Sequence, residues 1–592
     1  MGREEYPRPE FRRAAYLLLN GAWQFDWDDQ MTGLDTDWMI PERILSQTIQ
    51  VPFCFESPLS GIGDTHMHPA VCYKRCFTLP EEWSGKRILL HFEAVNYECR
   101  VFINGYPAGG HIGGHVGFSL DITQWVSAGE NELSVWVRTP YMQQDIPRGK
   151  QFWEPQPRGV WYTRTSGIWQ SVWLEPVSPA HLQAVRFTPD VDAGTVSVDG
   201  CLSQMEENLE LDIRISFQGQ LLTAAGIAVS RPEFHVALDV FQGDCCREGV
   251  LGGALCWSPE YPRLLEVSLV LRNRETERDR VATYFGMRKI HTENGQLYLN
   301  NMPLYLPMVL DQGYWPDGLM TAPSDEDFRR DILMAKKLGF LGCRKHQKIE
   351  DRRFLYWADT LGFLVWEEMP ACWVFSERSR EDTMNELLAA VRRDYNHPSI
   401  IAWVPLNESW GVPAVRTDCR QQAYSLALYY RLKAEDSTRL VIGNDGWEQT
   451  ATDVCTIHQY YRGPDEDGPA YREYAEPMAD RRRLLDTTAS GFPLFAQTYE
   501  YQGQPIMISE FGGIACCPHT TTEEAWGYTE TDDPEQLLTL YRRAVKPILD
   551  SPCIVGFCYT QLTDVQQEKN GLLTEGRQSK CPPDKIALIN KS

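Results

Sequence analysis

No run of about 18 consecutive apolar residues occurs in the 592-residue chain, so no transmembrane helix is expected. The opening MGREEYPRPEF is charged and contains proline, and it lacks the apolar stretch of a secretory signal. Positive charge is in short supply: 57 Lys and Arg stand against 81 Asp and Glu, a formal net charge of −24. Nucleic acid and anionic membrane surfaces both call for a cationic face, so neither is expected as a partner. A polyanionic substrate is disfavoured too, unless one local basic pocket exists; uncharged substrates stay open. The 17 cysteines are odd in number and follow no framework spacing. Reduced thiols in a cytoplasmic protein are therefore expected. Cys343, Cys455 and Cys558 fall in strand-like runs, where a thiol packs as a small hydrophobe. Cys245-Cys246 and Cys516-Cys517 lack the C-x-x-C spacing of zinc sites. His66 with His68, and His111 with His115, have no clear third ligand nearby. No metal and no other cofactor is expected.

What the chain does have is 43% apolar residues, ample for buried cores, over a length that suggests three or four domains. Three textures divide it. Residues 1–178 alternate short β-rich runs with Gly, Pro and Asn turns, as in 87–95 (RILLHFEAV), 99–105 (CRVFING) and 131–139 (NELSVWVRT). That spacing predicts a β-sandwich of the jelly-roll kind. Residues 179–286 continue in β texture, with 195–202 (TVSVDGCL), 209–217 (LELDIRISF) and 265–271 (LEVSLVL), and have the length of one immunoglobulin-like sandwich. From 287 to 592 apolar runs alternate with helical patterns. Eight runs read as strands: 304–310, 340–345, 363–368, 400–408, 440–445, 454–460, 505–511 and 554–560. Near-continuous apolar strands are buried on both faces, and eight of them predict a (β/α)8 TIM barrel. The clearest helical patterns start at Ser324, with Asp327 three residues on, and cover 383–395.

Chemistry in such a barrel sits at the C-terminal ends of the strands. Those ends carry Arg344, Glu367, Glu368, Asn407, Glu408, Asn444, Asp445, His458, Tyr460, Glu510 and Tyr559. Two strands run apolar and then stop on a carboxylate: the fourth at Asn407-Glu408, the seventh at Glu510. Two carboxyl groups facing one cavity suit glycoside hydrolysis, in which one protonates the leaving oxygen and the other attacks or activates water. Their separation decides between retention and inversion of configuration, and a sequence does not contain it.

The run 394–411 (DYNHPSIIAWVPLNESWG) resembles the acid/base signature of family 2 glycoside hydrolases, and 505–513 (PIMISEFGG) resembles that family's nucleophile strand. The resemblance extends over essentially the whole chain, through 162–175 (YTRTSGIWQSVWLE), 256–267 (CWSPEYPRLLEV), 284–290 (YFGMRKI), 338–346 (LGFLGCRKH) and 361–370 (LGFLVWEEMP). It implies a retaining exo-glycosidase acting on a small glycoside or an oligosaccharide end, with Glu408 as acid/base and Glu510 as nucleophile. Asn407 would contact the sugar 2-hydroxyl, Tyr460 would orient the nucleophile, and Arg344 would keep it ionised. Departures narrow the sugar. The β-glucuronidase branch grips its uronate with Asn-x-Lys before a glycine, where this chain reads Glu568-Lys569-Asn570-Gly571. The large β-galactosidases carry a Glu-x-His magnesium pair, whereas 366–373 (WEEMPACW) has no histidine. Tyr559 stands where many relatives have a tryptophan platform. A neutral β-galactoside-type sugar is therefore ranked first, then furanosides (α-L-arabinofuranoside or β-galactofuranoside), then β-glucuronides. A non-catalytic carbohydrate-binding protein on the same fold is the alternative of another class, and a homo-oligomer is compatible with either.

Trp315, Trp373, Trp410 and Trp447 each lie just past a barrel strand and are candidate sugar-stacking rings, with Lys345 and His346 as candidate hydroxyl contacts. The glycine-rich 109–117 (GGHIGGHVG) does not fit a phosphate loop and reads as a loop of the first sandwich. Asp145 sits on a long polar segment, 141–153, and reads as a solvated loop acid.

Overall fold

The computed structural model describes residues 3–241, 255–460, 468–516 and 525–591. Cys245, Cys246 and Cys517 lie outside them, and the described cysteines are free thiols. No helix among the described residues is long and apolar enough to cross a membrane.

The first sandwich faces a six-stranded sheet against a four-stranded one. Its central strand, Glu130–Arg138, pairs antiparallel with Ala70–Thr78 on one side and Glu98–Ile103 on the other. That strand is buried on both faces, which is why it is rich in Val, Leu and Trp. Trp23, Phe25, Leu90, Val101, Val135 and Leu174 fill the space between the sheets. The second sandwich opposes a five-stranded and a three-stranded sheet. Leu209–Phe217 shows the expected alternation, with Leu209, Leu211, Ile213 and Ile215 turned inward. One edge of its larger sheet is Phe11–Arg12, which pairs with Ala282 and Thr283.

All eight predicted barrel strands form. They are β1 Leu306–Asp311, β2 Gly342–Lys345, β3 Leu364–Glu368, β4 Ile400–Val404, β5 Leu440–Val441, β6 Cys455–His458, β7 Ile506–Gly512 and β8 Ile554–Thr560. They are parallel in the order β5-β4-β3-β2-β1-β8-β7-β6, and the short β5 meets β6 through loop bonds such as Asp453 N–H to Val441 O. Met308, Trp366, Val404, Met507 and Cys558 pack inside the barrel. The opposite strand faces pack against α1 Asp325–Lys337, α2 Arg352–Leu361, α3 Glu377–Asp394, α4 Cys419–Glu435, α5 Pro469–Ala475, α6 Arg481–Leu485, α7 Pro534–Leu549 and α8 Pro583–Asn590. No helix separates β5 from β6. Ser324 caps α1 through Asp327 as expected. α3 starts six residues before the predicted helix, because Ser376 and Ser379 form a reciprocal capping box.

The three units are clasped by buried ion pairs. Arg13 bonds Glu175 of the first sandwich at 2.7 Å and Asp279 of the second at 2.8 Å. Arg3 reaches Asp325 at the start of α1. The 141–166 segment is not a free loop: it leaves the first sandwich and lies on the barrel mouth. Arg148 N–H and Gly149 N–H bond Ala371 O at 3.1 Å, and Trp526 Nε1–H bonds Gly159 O at 2.9 Å.

Candidate active site

β4 stops at Val404, and Leu406–Glu408 turns into the mouth. There Asp445 N–H bonds Leu406 O and Glu408 N–H bonds Asp445 O, both at 2.9 Å. Glu408 and Ser409 both take left-handed backbone, φ 53° and 59°, which non-glycine residues rarely adopt and which concentrates at functional sites. Glu510 sits inside β7, where a register shift opposite β6 sets its side chain toward the cavity.

The two carboxyl groups have opposite surroundings. Both oxygens of Glu510 are held: Arg344 Nη1–H donates to Oε1 at 2.7 Å and the Tyr460 hydroxyl to Oε2 at 2.6 Å. Burial opposes its charge, but His458 and Arg344, helped by the Tyr460 hydrogen bond, outweigh that and hold its pKa down to about 2. Glu408 has no arginine partner among the described residues. Burial pushes its pKa above the ordinary range, a hydrogen bond with His458 works against that, and the charge of Glu510 adds to the rise. Groups whose environments push their pKa values apart are the usual mark of an acid and a nucleophile sharing one site.

Between the carboxylates stands His458, fully buried at the end of β6. Its Nδ1 lies 2.7 Å from Glu408 Oε1 and 3.5 Å from Glu510 Oε2, and its Nε2 lies 3.2 Å from Asp445 Oδ2. Burial alone would keep the ring neutral; Glu510 and Asp445 reverse this and lift its pKa to about 10. One carboxylate oxygen each of Glu408 and Glu510 and one His458 nitrogen all lie within 4.8 Å of one another. Such a spacing suits a cation, and the protonated imidazole supplies one. Gly446 makes room for the ring: its φ is +102°, and a Cβ there would stand 2.6 Å from Nδ1.

Arg344 is the hub beneath. Besides Glu510, it bonds Glu368 at 2.6 Å and Asp445 at 2.9 Å, and Asn407 Oδ1 at 2.8 Å. That bond fixes the orientation of the Asn407 amide. Among the described residues Asn407 Nδ2 is then a buried donor without a partner, next to Glu408 and open to a ligand hydroxyl. His346 Nδ1 lies 3.0 Å from Arg344 Nη2 and 2.9 Å from Glu368 Oε1. Burial, then Lys150 and Arg344, keep that imidazole neutral. Tyr460 also touches Thr560 Oγ1 at 3.0 Å and stacks on Tyr528 at 3.7 Å.

Of the candidate rings, Trp373 and Trp410 pack together at 3.9 Å at the mouth, with Trp153 and Trp161 of the 141–166 segment behind Trp373. Trp447 backs His458 edge-on at 5.6 Å and stacks on Phe492. Four expectations are corrected. Tyr559 is not a sugar platform: along β8 Cys558 faces the barrel interior and Tyr559 faces outward onto Tyr541 of α7, while Thr560 reaches the site. Lys345 is no hydroxyl contact, because its ammonium pairs with Asp311 at 2.7 Å and Glu350 at 2.8 Å. Trp315 is core, beneath Arg577 and against Phe328. Asp145 is not simply solvated: it accepts from Ser376 Oγ, at the N-cap of α3, at 3.2 Å. The 109–117 run is a loop only in part: its first four residues close the strand Tyr106–Ile112, which pairs with Glu98–Ile103, and the remainder docks on α3, where His115 N–H bonds Glu386 at 2.8 Å.

The sequence reading placed His458, Asp445 and Glu368 at strand ends without giving them a role, and it missed Lys150 altogether. The strand-end rule was the signal for the first three. Nothing local marks Lys150.

A two-sandwich chain with a terminal barrel and this carboxylate pair has known counterparts. Residues 17–176 match the model of the glycosyl hydrolases family 2 sugar binding domain, and residues 290–527 match that of the glycosyl hydrolases family 2 TIM barrel domain. The chain belongs to glycoside hydrolase family 2. A putative beta-glucuronidase of Formosa agariphila is 28% identical over 345 residues, 58% of this chain and 40% of that protein. A beta-galactosidase of Thermoanaerobacter pseudethanolicus is 27% identical over 348 residues, 57% of this chain and 44% of that protein. The chain thus spans less than half the length of these two curated relatives. In fold it is similar to a b-glucuronidase from Ruminococcus gnavus solved in complex with D-glucuronic acid. The TM-score is 0.78 at 18% identity, over 100% of this chain and 99% of that one.

Proposed function

We propose that the protein is a retaining exo-glycosidase that removes a terminal neutral sugar of the β-galactoside type, with Glu510 as nucleophile and Glu408 as acid/base. The observation that carries the reading is the pair of carboxyl groups on one imidazole, one held ionised and the other pushed toward its acid form. Their closest oxygens lie within 4.8 Å, which fits the separation of about 5 Å of retaining enzymes better than the 6.5–9.5 Å of inverting ones. In the first step Glu510 attacks the anomeric carbon, the glycosidic bond breaks, and Glu408 gives its proton to the departing oxygen. In the second, Glu408 takes a proton from water, the hydroxide adds to the anomeric carbon, and the ester to Glu510 breaks. Asn407 Nδ2 offers its free N–H to the 2-hydroxyl, a bond that strengthens as the ring becomes oxocarbenium-like.

A mouth walled by the 141–166 segment favours a sugar end over a passing chain. Glu568 supports a neutral sugar. It is buried, which pushes its carboxyl above the ordinary range although Lys150 works against that, and it is bonded by the Tyr162 hydroxyl at 2.6 Å and Asn570 Nδ2 at 2.9 Å; a uronate would meet a second carboxyl group there instead of the cation it needs. The relatives named as glucuronidases favour a uronide as the second reading.

The test is a panel of p-nitrophenyl β-galactopyranoside, β-glucuronide, β-glucoside, β-mannoside, α-L-arabinofuranoside and β-galactofuranoside, with wild type and Glu510→Ala. We expect β-galactopyranoside turnover that the variant loses and that azide restores with inverted product. Glu408→Ala is expected to harm poor leaving groups far more than activated aryl ones. Equal loss on both would remove the acid role from Glu408, and no turnover by wild type would favour the carbohydrate-binding alternative.

A further inference from the structure

Lys150, carried by the 141–166 segment of the first sandwich, is a cation brought to the edge of the catalytic cavity, beside Trp410. It is 8% exposed, yet among the described residues its ammonium has neither hydrogen bond nor ion pair. A buried ammonium left unpaired is costly, and such groups are normally paired or held for a ligand. Its position is well fixed. Nζ stands 4.6 Å over the ring of Trp410, two residues past Glu408. Lys150 O accepts from Tyr162 N–H at 2.8 Å, and the Tyr162 hydroxyl holds Glu568. Gly149, with φ +58°, sets the approach: a Cβ there would lie 2.4 Å from Gln347 O. The charges acting on Lys150 are, in order, Glu568, Glu510, Glu408 and Glu368, and they partly offset the lowering of its pKa by burial. Glu568 lies beyond ion-pair distance of Lys150 and accepts one hydrogen bond at each oxygen, from the Tyr162 hydroxyl and from Asn570 Nδ2, which leaves each oxygen able to accept another.

We propose that Lys150 and Glu568 form a split donor–acceptor pair that binds adjacent hydroxyls of the neutral terminal sugar, so that the first sandwich completes the sugar subsite. A hydroxyl is both acceptor and donor, so a diol satisfies Lys150 and Glu568 together. A carboxylate satisfies only the lysine and brings no donor to the Glu568 oxygens, which can accept from a hydroxyl. The inference rests on the glycosidase reading for its substrate but not for its test, because sugar binding is measurable without turnover.

The experiment compares wild type, Lys150→Met and Glu568→Gln. Kinetics use the p-nitrophenyl glycoside that wild type hydrolyses, its monodeoxy analogues and its 6-carboxylate counterpart. Calorimetry measures binding of methyl β-D-galactopyranoside and of methyl β-D-glucuronide, the latter as the 6-carboxylate probe. A hydrogen bond to a charged group is worth about 1.5–3 kcal/mol. Lys150→Met should therefore lower kcat/KM about 10- to 100-fold on the parent glycoside, and the penalty should vanish on the deoxy analogue lacking the bound hydroxyl. Glu568→Gln should shift preference toward the 6-carboxylate sugar by about tenfold or more. A uniform penalty on every deoxy analogue would make Lys150 a packing residue and overturn the proposal. So would a loss in Lys150→Met confined to the 6-carboxylate substrate. If wild type hydrolyses nothing yet binds the methyl galactoside more tightly than Lys150→Met does, the glycosidase reading fails and this one stands. If neither methyl glycoside binds, the pair is not a sugar site.

Discussion

A single imidazole does most to set the two carboxyl groups apart. His458 touches Glu408, Glu510 and Asp445 at 2.7, 3.5 and 3.2 Å, and each partner favours its protonated form. Its raised pKa makes a testable stability term. A folded-state pKa of about 10 against an ordinary value of about 6.5 means that the protonated ring stabilises the fold fully below about pH 6.5. That contribution is lost as pH rises through 10. We expect His458→Gln to be most destabilising near pH 6, with the gap to wild type narrowing toward pH 10, as measured by urea unfolding at several pH values. A gap independent of pH would mean that the ring is neutral in the folded protein. Glu408 and Glu510 were legible because each is announced by its own strand and flanks. His458 was visible as a strand end, but its role depends on partners 13 and 50 or more residues away in sequence, which no local pattern reveals.

At the scale of elements, existence was easier to read than ends. All eight barrel strands are where the apolar runs lie, since a strand buried on both faces has little choice of composition. β4 was expected to continue through Glu408 but ends at Val404, because the left-handed Glu408 and Ser409 belong to a turn stabilised by Asp445. β8 was read to its right end but on the wrong face: one residue of shift exchanges Tyr559 for Thr560. The 141–166 segment is the element whose role was least visible, being irregular and polar. Its path depends on Gly149. Gly149→Ala places a Cβ against Gln347 O in a left-handed backbone, a strain of about 1–3 kcal/mol. We expect kcat/KM to fall at least tenfold through displacement of Lys150, with a drop of only a few degrees in melting temperature. Unchanged kinetics would show that the route of the segment is immaterial to the site.

For the whole molecule, the barrel is not a self-contained catalytic unit. Tyr162, Lys150, Trp153 and Trp161 come from the first sandwich and complete the mouth, and the sandwiches are in turn tied together by Arg13 between Glu175 and Asp279. Removing one partner of a buried ion network costs about 3–5 kcal/mol. Arg13→Ala, which leaves buried Asp279 without its cation while Glu175 keeps Arg8, should lower the first thermal transition markedly in calorimetry while kcat changes little, and a single unshifted transition would sink the claim that this clasp couples the units. What the sequence alone determined is the set of local decisions: which runs are strands, where two of them end on a carboxylate, and which family the motifs resemble. Those decisions follow from burial pattern and short-range spacing, and both are written in neighbouring residues. Tertiary structure decided what the carboxylates do to each other, which rings gather at the mouth, and that Lys150 stands over Trp410, 260 residues away in sequence. These are matters of distance and desolvation, and both exist only once remote segments are packed together.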